Sequence, residues 1–168
     1  DTFKNIDLRT SQNYSWSFGG DSQNIMIRDL FSRELQEATG EPYTRSQFVH
    51  LYIDGQYWGL YMTEERPEAD FAKSYLGGQD DDYDVIKVTG GYVMFPTDGT
   101  MDAFAQLYNA AVTGFSNTTD YYRVMGLTSN GTPNPTYTKL LDPVNVADYM
   151  ISIYYSGDLD ASLSNFLG

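Results

Sequence analysis

Asp160 and Asn165 stand five positions apart in the stretch SGDLDASLSNF, directly after the apolar run MISIYY. A carboxylate in such a loop can orient an attacking hydroxyl and take up part of its proton. A carboxamide oxygen is a hard ligand of the kind Mg²⁺ prefers, at about 2.0–2.1 Å in a near-octahedral shell. The pair therefore offers an acid–base group beside a metal ligand. The same spacing also suits a polar loop in which an aspartate serves as a cap.

Other residues with chemical potential admit simpler roles. His50 is the chain's single histidine, so a multi-histidine zinc site is excluded and a Ser-His-Asp triad would hang on one residue. Its place on a strand favours a packing role. Asp80, Asp81, Asp82 and Asp84 could gather calcium, but they lack the glycine and distal glutamate of an EF-hand loop and read as a solvated acidic turn. No G-x-x-x-x-G-K phosphate loop is present, and there is no cysteine for a disulfide, a thiolate metal site or a thiol nucleophile. Trp58 and Tyr61 read as core aromatics. The formal charge of −13 disfavours nucleic acid and anionic membranes as partners. No apolar run approaches the roughly 20 residues that cross a bilayer. A chain of 168 residues, 41% apolar, has material for one domain or most of one. It starts at Asp1 and ends soon after Asn165, which reads as a processed or trimmed piece.

The elements that must position these residues follow from pattern. FKNIDLR reads as a strand carrying Lys4 and Arg9. IMIRDLFSRELQEAT places Ile27, Leu30, Phe31, Leu35 and Ala38 on a helical stripe, after a cap at Asp21 or Ser22 and before a stop at Gly40. Glu34 lies beside that stripe and could pair with a basic residue on the first strand. QFVHLYIDGQYWGLYMTEE predicts a β-hairpin with a type I′ turn at Asp54-Gly55, and Gly59 suggests a bulge or close backbone approach. Pro67 opens a short helix, PEADFAKSYL, stopped by Gly77-Gly78. YDVIKVT is a strand, GGYVMFPTDGT is turn-rich, and MDAFAQLYNAAV is a helix capped near Thr100. SNGTPNPTYT is a loop. Val144 to Tyr155 is a helix capped by Asp142 or Asn145, with Val146, Tyr149, Met150 and Ile153 as its buried stripe.

The order strand, helix, hairpin, break, helices and polar loop matches that of a protein kinase, and D-x-x-x-x-N is the spacing of the kinase catalytic loop. VHLYIDGQYWGLYMTEERPEADF further resembles the core of the CotH (spore coat protein H) kinase-like family. DLR at 7–9, IRDLFSREL at 27–35, SYLGG at 74–78 and the ending agree with it. The end motif departs from the family's at Asp158, Ala161, Ser162 and Phe166, while Asp160 and Asn165 are kept.

The resemblance implies an α+β, protein-kinase-like fold of the CotH type. Residues 1–65 would form a small-lobe antiparallel sheet plus helix, and residues 66–168 a partial, mostly helical large lobe within one domain. It implies an atypical protein kinase that uses ATP and Mg to phosphorylate protein Ser/Thr hydroxyls. Asp160 would be base or orienter and Asn165 would hold the metal. Arg9 would sit near phosphate, matching the family's L-R. Glu64 and Glu65 would mark the hinge that meets adenine. A second metal-binding aspartate is implied downstream, beyond Gly168, so activity in these residues alone is in question. The alternative is a non-catalytic CotH-like surface or assembly module of a secreted or envelope protein, and a bacterial, extracellular or envelope setting is expected in either case.

Overall fold

The computed structural model describes residues 5–10, 25–89 and 93–157. Lys4, Asp160 and Asn165 lie outside the described residues. Those described form two small antiparallel sheets and five α-helices, a mixed α/β architecture. The chain divides into two compact units between Tyr83 and Asp84. No described helix is long and apolar enough to cross a membrane.

The first unit holds β1 (Ile6–Arg9), α1 (Arg28–Thr39), β2 (Ser46–Ile53), β3 (Gln56–Glu65) and α2 (Ala69–Leu76), followed by a 3-10 turn at Asp80–Asp82. The strands lie in the order β1-β3-β2, all antiparallel. Asp54 and Gly55 both take positive φ, 50° and 79°, as a type I′ turn requires. Leu51 pairs with Gly59 but Tyr52 pairs with Tyr57, so Trp58 is the extra residue of a bulge. Gly59 follows it at φ 137°, a backbone state that only glycine adopts without strain.

That bulge overturns the expectation for Trp58. Among the described residues β1 pairs with β3 only from Met62 to Glu65, so the described part of the hairpin beyond is a two-stranded ribbon. Trp58 stands at 58% exposure on it, while Tyr61 is half-buried. His50 Nδ1 meets the Tyr57 hydroxyl at 3.1 Å across the same ribbon, so the imidazole is partnered.

α1 begins at Arg28, after Ile27 as N-cap and without a side-chain cap; it ends at Gly40, in the left-handed region at φ 85°. Its inward side also differs from the expected stripe. Ile27 and Phe31 are exposed, whereas Asp29, Leu30 and Arg33 are partly covered. Leu35 of the expected stripe is partly covered too, and ionic contacts of Asp29 to β1 and Arg33 to β3 fall on this covered side. Pro67 precedes the N-cap Glu68 instead of opening α2, and Gly77 ends that helix as expected.

The acidic turn is occupied by local contacts. Asp82 Oδ2 accepts from the Gln79 backbone N at 2.8 Å, and Asp80 pairs with Lys73 at 3.1 Å.

The second unit holds β4 (Val85–Val88), β5 (Met94–Asp98), α3 (Asp102–Thr113), α4 (Thr118–Val124) and α5 (Pro143–Ser156). β5 occupies the stretch expected to be all turn. Pro96 is tolerated because a two-stranded ladder has only edges. α4 was not anticipated, being too short to show a period; Asn117 caps it by accepting from Asp120 N at 3.0 Å. Thr100 Oγ1 accepts from Asp102 N at 3.3 Å at the start of α3. Asp142 caps α5, with Oδ1 accepting from Val144 N and Asn145 N at 3.1 and 3.3 Å. Ile153 is buried on that helix, but Val146 and Tyr149 of the expected stripe are exposed.

Candidate functional site

β3 ends in two glutamates, and successive strand residues face opposite sides of a sheet. On Glu64's side, Asp7 lies opposite Glu64, and Arg9 lies opposite Met62, two residues along. α1 brings Asp29 and Arg33 to the same place, since residues four apart share a helix face. The Arg9 guanidinium donates from Nη1 to Glu64 Oε2 at 3.1 Å and meets Asp29 Oδ2 at 3.2 Å. Arg33 Nη2 pairs with the other oxygen of Glu64. Two arginines from different elements thus converge on one carboxylate.

The arginines are held differently. The Arg9 side chain is 44% exposed, while those of Arg33 and Glu64 are each at 14%. Arg33 Nη1 is buried and has no hydrogen-bond acceptor among the described residues. A buried guanidinium donor without an acceptor is costly. It is also a ready-made contact for an incoming anion, because the planar fork matches a carboxylate or phosphate bidentately.

Glu65 points to the other side into a closed set of contacts. It is only 6% exposed. Its Oε1 accepts from the Tyr75 hydroxyl at 2.5 Å, and its Oε2 accepts from Arg45 N at 2.8 Å and lies 3.6 Å from Arg45 Nη1. The Arg45 guanidinium sits over the Tyr75 and Tyr43 rings, 3.9 and 4.7 Å from their centroids. Tyr43 in turn donates to Glu37 Oε1 at 2.6 Å. Burial pushes the Tyr75 phenol above its ordinary range, and its hydrogen bond to Glu65 pushes the same way. Both carboxylate oxygens of Glu65 are thus engaged in holding α2 and Arg45 to the sheet.

Of the residues expected from sequence, Arg9 and Glu64 are brought together, and Glu65 belongs to a separate set. Glu34 is exposed on α1, and the α1 carboxylate beside Arg9 is that of Asp29. Arg33 was missed. Its signal was the i, i+4 spacing to Asp29 inside IRDLFSREL, which an apolar-stripe reading passes over. Among the described residues no group of three or more His, Asp or Glu side chains is placed to hold a metal ion.

Residues 18–167 match the family model described as CotH kinase protein. The match spans nearly the whole chain, and the chain belongs to the CotH kinase family. No curated protein and no solved structure matches it significantly.

Proposed function

We propose that this chain is the nucleotide-binding and catalytic-loop part of an atypical protein kinase, transferring phosphate from Mg-ATP to protein Ser/Thr hydroxyls. The observation that supports it is the convergence of Arg9 and Arg33, with a buried Arg33 donor lacking an acceptor among the described residues. Phosphoryl transfer depends mainly on positioning and charge neutralisation. Arg33 contributes a largely buried fork, Arg9 a more exposed one, and Glu64 holds both at a common point, with Asp29 also on Arg9. Mg, when bound, neutralises phosphate charge; Asn165 is the residue proposed to hold it. Asp160 orients the attacking hydroxyl and accepts its proton. In this reading the first unit supplies the small-lobe sheet and helix of a kinase-like fold.

The test is calorimetric titration of Mg-ATP into the chain, with labelled-phosphate transfer assayed on the parent protein. Binding is expected, about tenfold weaker in Arg9→Ala, the size of one charge-assisted hydrogen bond. Transfer is expected to vanish in Asp160→Ala with folding intact. Absence of heat, together with no rise in melting temperature at about 1 mM ATP, overturns the nucleotide reading.

A second reading, a surface or assembly module without catalysis, is favoured by the exposed aromatic hairpin. Tyr52, Tyr57 and Trp58 are all exposed on that ribbon. Bare aromatic side chains of this kind mark protein–protein contacts. The altered end motif points the same way.

A further inference from the structure

The second unit contains a cavity of about 600 Å³, within the range that encloses a small organic molecule. One wall is α3, with Gln106, Asn109 and Thr113. The facing wall is α4 and the 136–140 segment, with Arg123 and Tyr137. Phe115 lines the link between the two helices.

The facing wall is rigidly built. The backbone N–H groups of Leu140 and Leu141 both donate to Val124 O, at 2.8 and 3.0 Å. Asn134 N donates to Gly126 O at 2.9 Å, and Asn134 Oδ1 accepts from Thr136 N at 3.0 Å. Gly126 lets the two chain segments of this wall approach. It has φ 74°, and a Cβ there would meet Lys139 atoms at 3.4–3.5 Å. These bonds hold the Tyr137 ring beneath the Arg123 guanidinium, 5.0 Å from guanidinium carbon to ring centroid.

Arg123 has no ion-pair partner among the described residues. Its natural partner is Asp120, three residues earlier on α4. The Asp120 Oδ2 instead accepts from Asn117 Nδ2 at 2.9 Å and from Ser116 Oγ at 3.1 Å. Asp120 also lines the cavity, but the α4 cap engages its carboxylate and leaves the stacked Arg123 guanidinium without an ion pair there, in a molecule of net charge −13. A guanidinium already ordered on an aromatic face loses little further freedom when it grips an anion. The Phe115 and Tyr137 rings offer the apolar contact, and the Gln106 and Asn109 carboxamides offer neutral polar contacts around it.

We infer that this cavity is a binding site for an aromatic organic anion, whose carboxylate or phosphate group is gripped by Arg123 and whose ring lies against Tyr137 and Phe115. It lies wholly within the second unit and uses none of the residues around Glu64.

The test is NMR titration of the ¹⁵N-labelled chain with benzoate and with phenyl phosphate, against benzyl alcohol and inorganic phosphate. At least one of the two aromatic anions should saturate, moving amide signals within residues 106–140. Which of the two binds tighter distinguishes a carboxylate ligand from a phosphate one. Benzyl alcohol, without charge, and inorganic phosphate, without a ring, should each bind at least about tenfold more weakly, the loss expected from removing one good contact. Arg123→Ala should weaken the better anion at least about tenfold, and Arg123→Lys, which keeps the charge but not the planar fork, should fall between. Tyr137→Leu, which keeps apolar bulk, should also weaken it. Failure of both aromatic anions to saturate by about 10 mM, a ceiling well above useful affinity, overturns the site. So does benzyl alcohol binding as tightly as the anions, unchanged binding in Arg123→Ala, or signals moving only outside residues 106–140.

Discussion

Glu64 and Glu65 are sequence neighbours of the same type, yet they do opposite work. Glu64 gathers two arginines on the helix side of the sheet and leaves an Arg33 donor without a described acceptor. Glu65 faces the other side, where a phenol, a backbone N–H and a guanidinium saturate it. A saturated carboxylate is fastened and has nothing left for a ligand. A carboxylate that orders cations around an unfilled donor can prepare an anion site. Exposure alone does not separate the two, since both are largely buried; the state of the partners does.

The largest expected effect comes from removing the fastened member. Glu65→Ala leaves the Tyr75 hydroxyl and Arg45 N without their acceptor. Unsatisfied buried groups cost roughly 1–3 kcal/mol each, so about 2–4 kcal/mol of stability is expected to be lost after allowance for the half-exposed Arg45 side chain. Urea denaturation checks it. A loss below that of an ordinary surface substitution would show that Glu65 is not the fastening point.

Next comes Arg33→Met, which keeps most of the side chain's bulk on α1. Glu64 retains Arg9, so a stability loss of about 1–2 kcal/mol is expected, smaller than for an entirely abandoned buried charge. Mg-ATP binding should fall by about tenfold or more, whereas Glu65 variants that remain folded should bind as before. Equal effects on binding from the two sites would erase the distinction drawn between them.

Tyr75→Phe removes one hydrogen bond to Glu65 and should cost about 1 kcal/mol at neutral pH. It should also change the alkaline limb. The Tyr75 phenol is held above its ordinary range by burial and by Glu65, so the folded state favours the protonated form. That contribution is fully present below the unfolded tyrosine value and is lost as pH rises through the raised folded one. Thermal melts between neutral and strongly alkaline pH should show a shallower decline in Tyr75→Phe than in the parent. An identical decline would place the alkaline sensitivity elsewhere.

What the sequence revealed follows the range of the interactions involved. The hairpin was legible because Asp54-Gly55 and the alternating runs are local, and Gly59 correctly marked the bulge. The stops at Gly40 and Gly77 and the cap at Asp142 were legible for the same reason. β5 was hidden because Pro96 and the surrounding glycines resemble turn, and only pairing with β4 makes it a strand. At the site, family likeness drew attention to Arg9 and Glu64. Asp29 and Arg33 could not be ranked, because the ionic contacts that engage them reach across about 20 and 31 positions of chain, to Arg9 and Glu64. Glu65 was grouped with Glu64 because one-dimensional adjacency hides the alternation of strand faces.

The smallest effect tests whether the Glu64 cluster is adaptable. Arg9 is nearly half exposed, and its contacts to Glu64 and Asp29 share a single nitrogen, Nη1. Such a pair is screened by water and salt, and it gives up side-chain freedom to hold its geometry. A double-mutant cycle of Arg9→Ala and Glu64→Gln should therefore return a stability coupling of only about 0.2–1 kcal/mol, shrinking as salt is raised. The same cycle read out as Mg-ATP affinity should give a larger coupling, because a bound polyanion draws Arg9 out of solvent into a setting where each charge counts for more. A stability coupling that exceeds the binding coupling would make Arg9 a fastener like Glu65's partners. It would then remove Arg9 from the set of groups available to a phosphate.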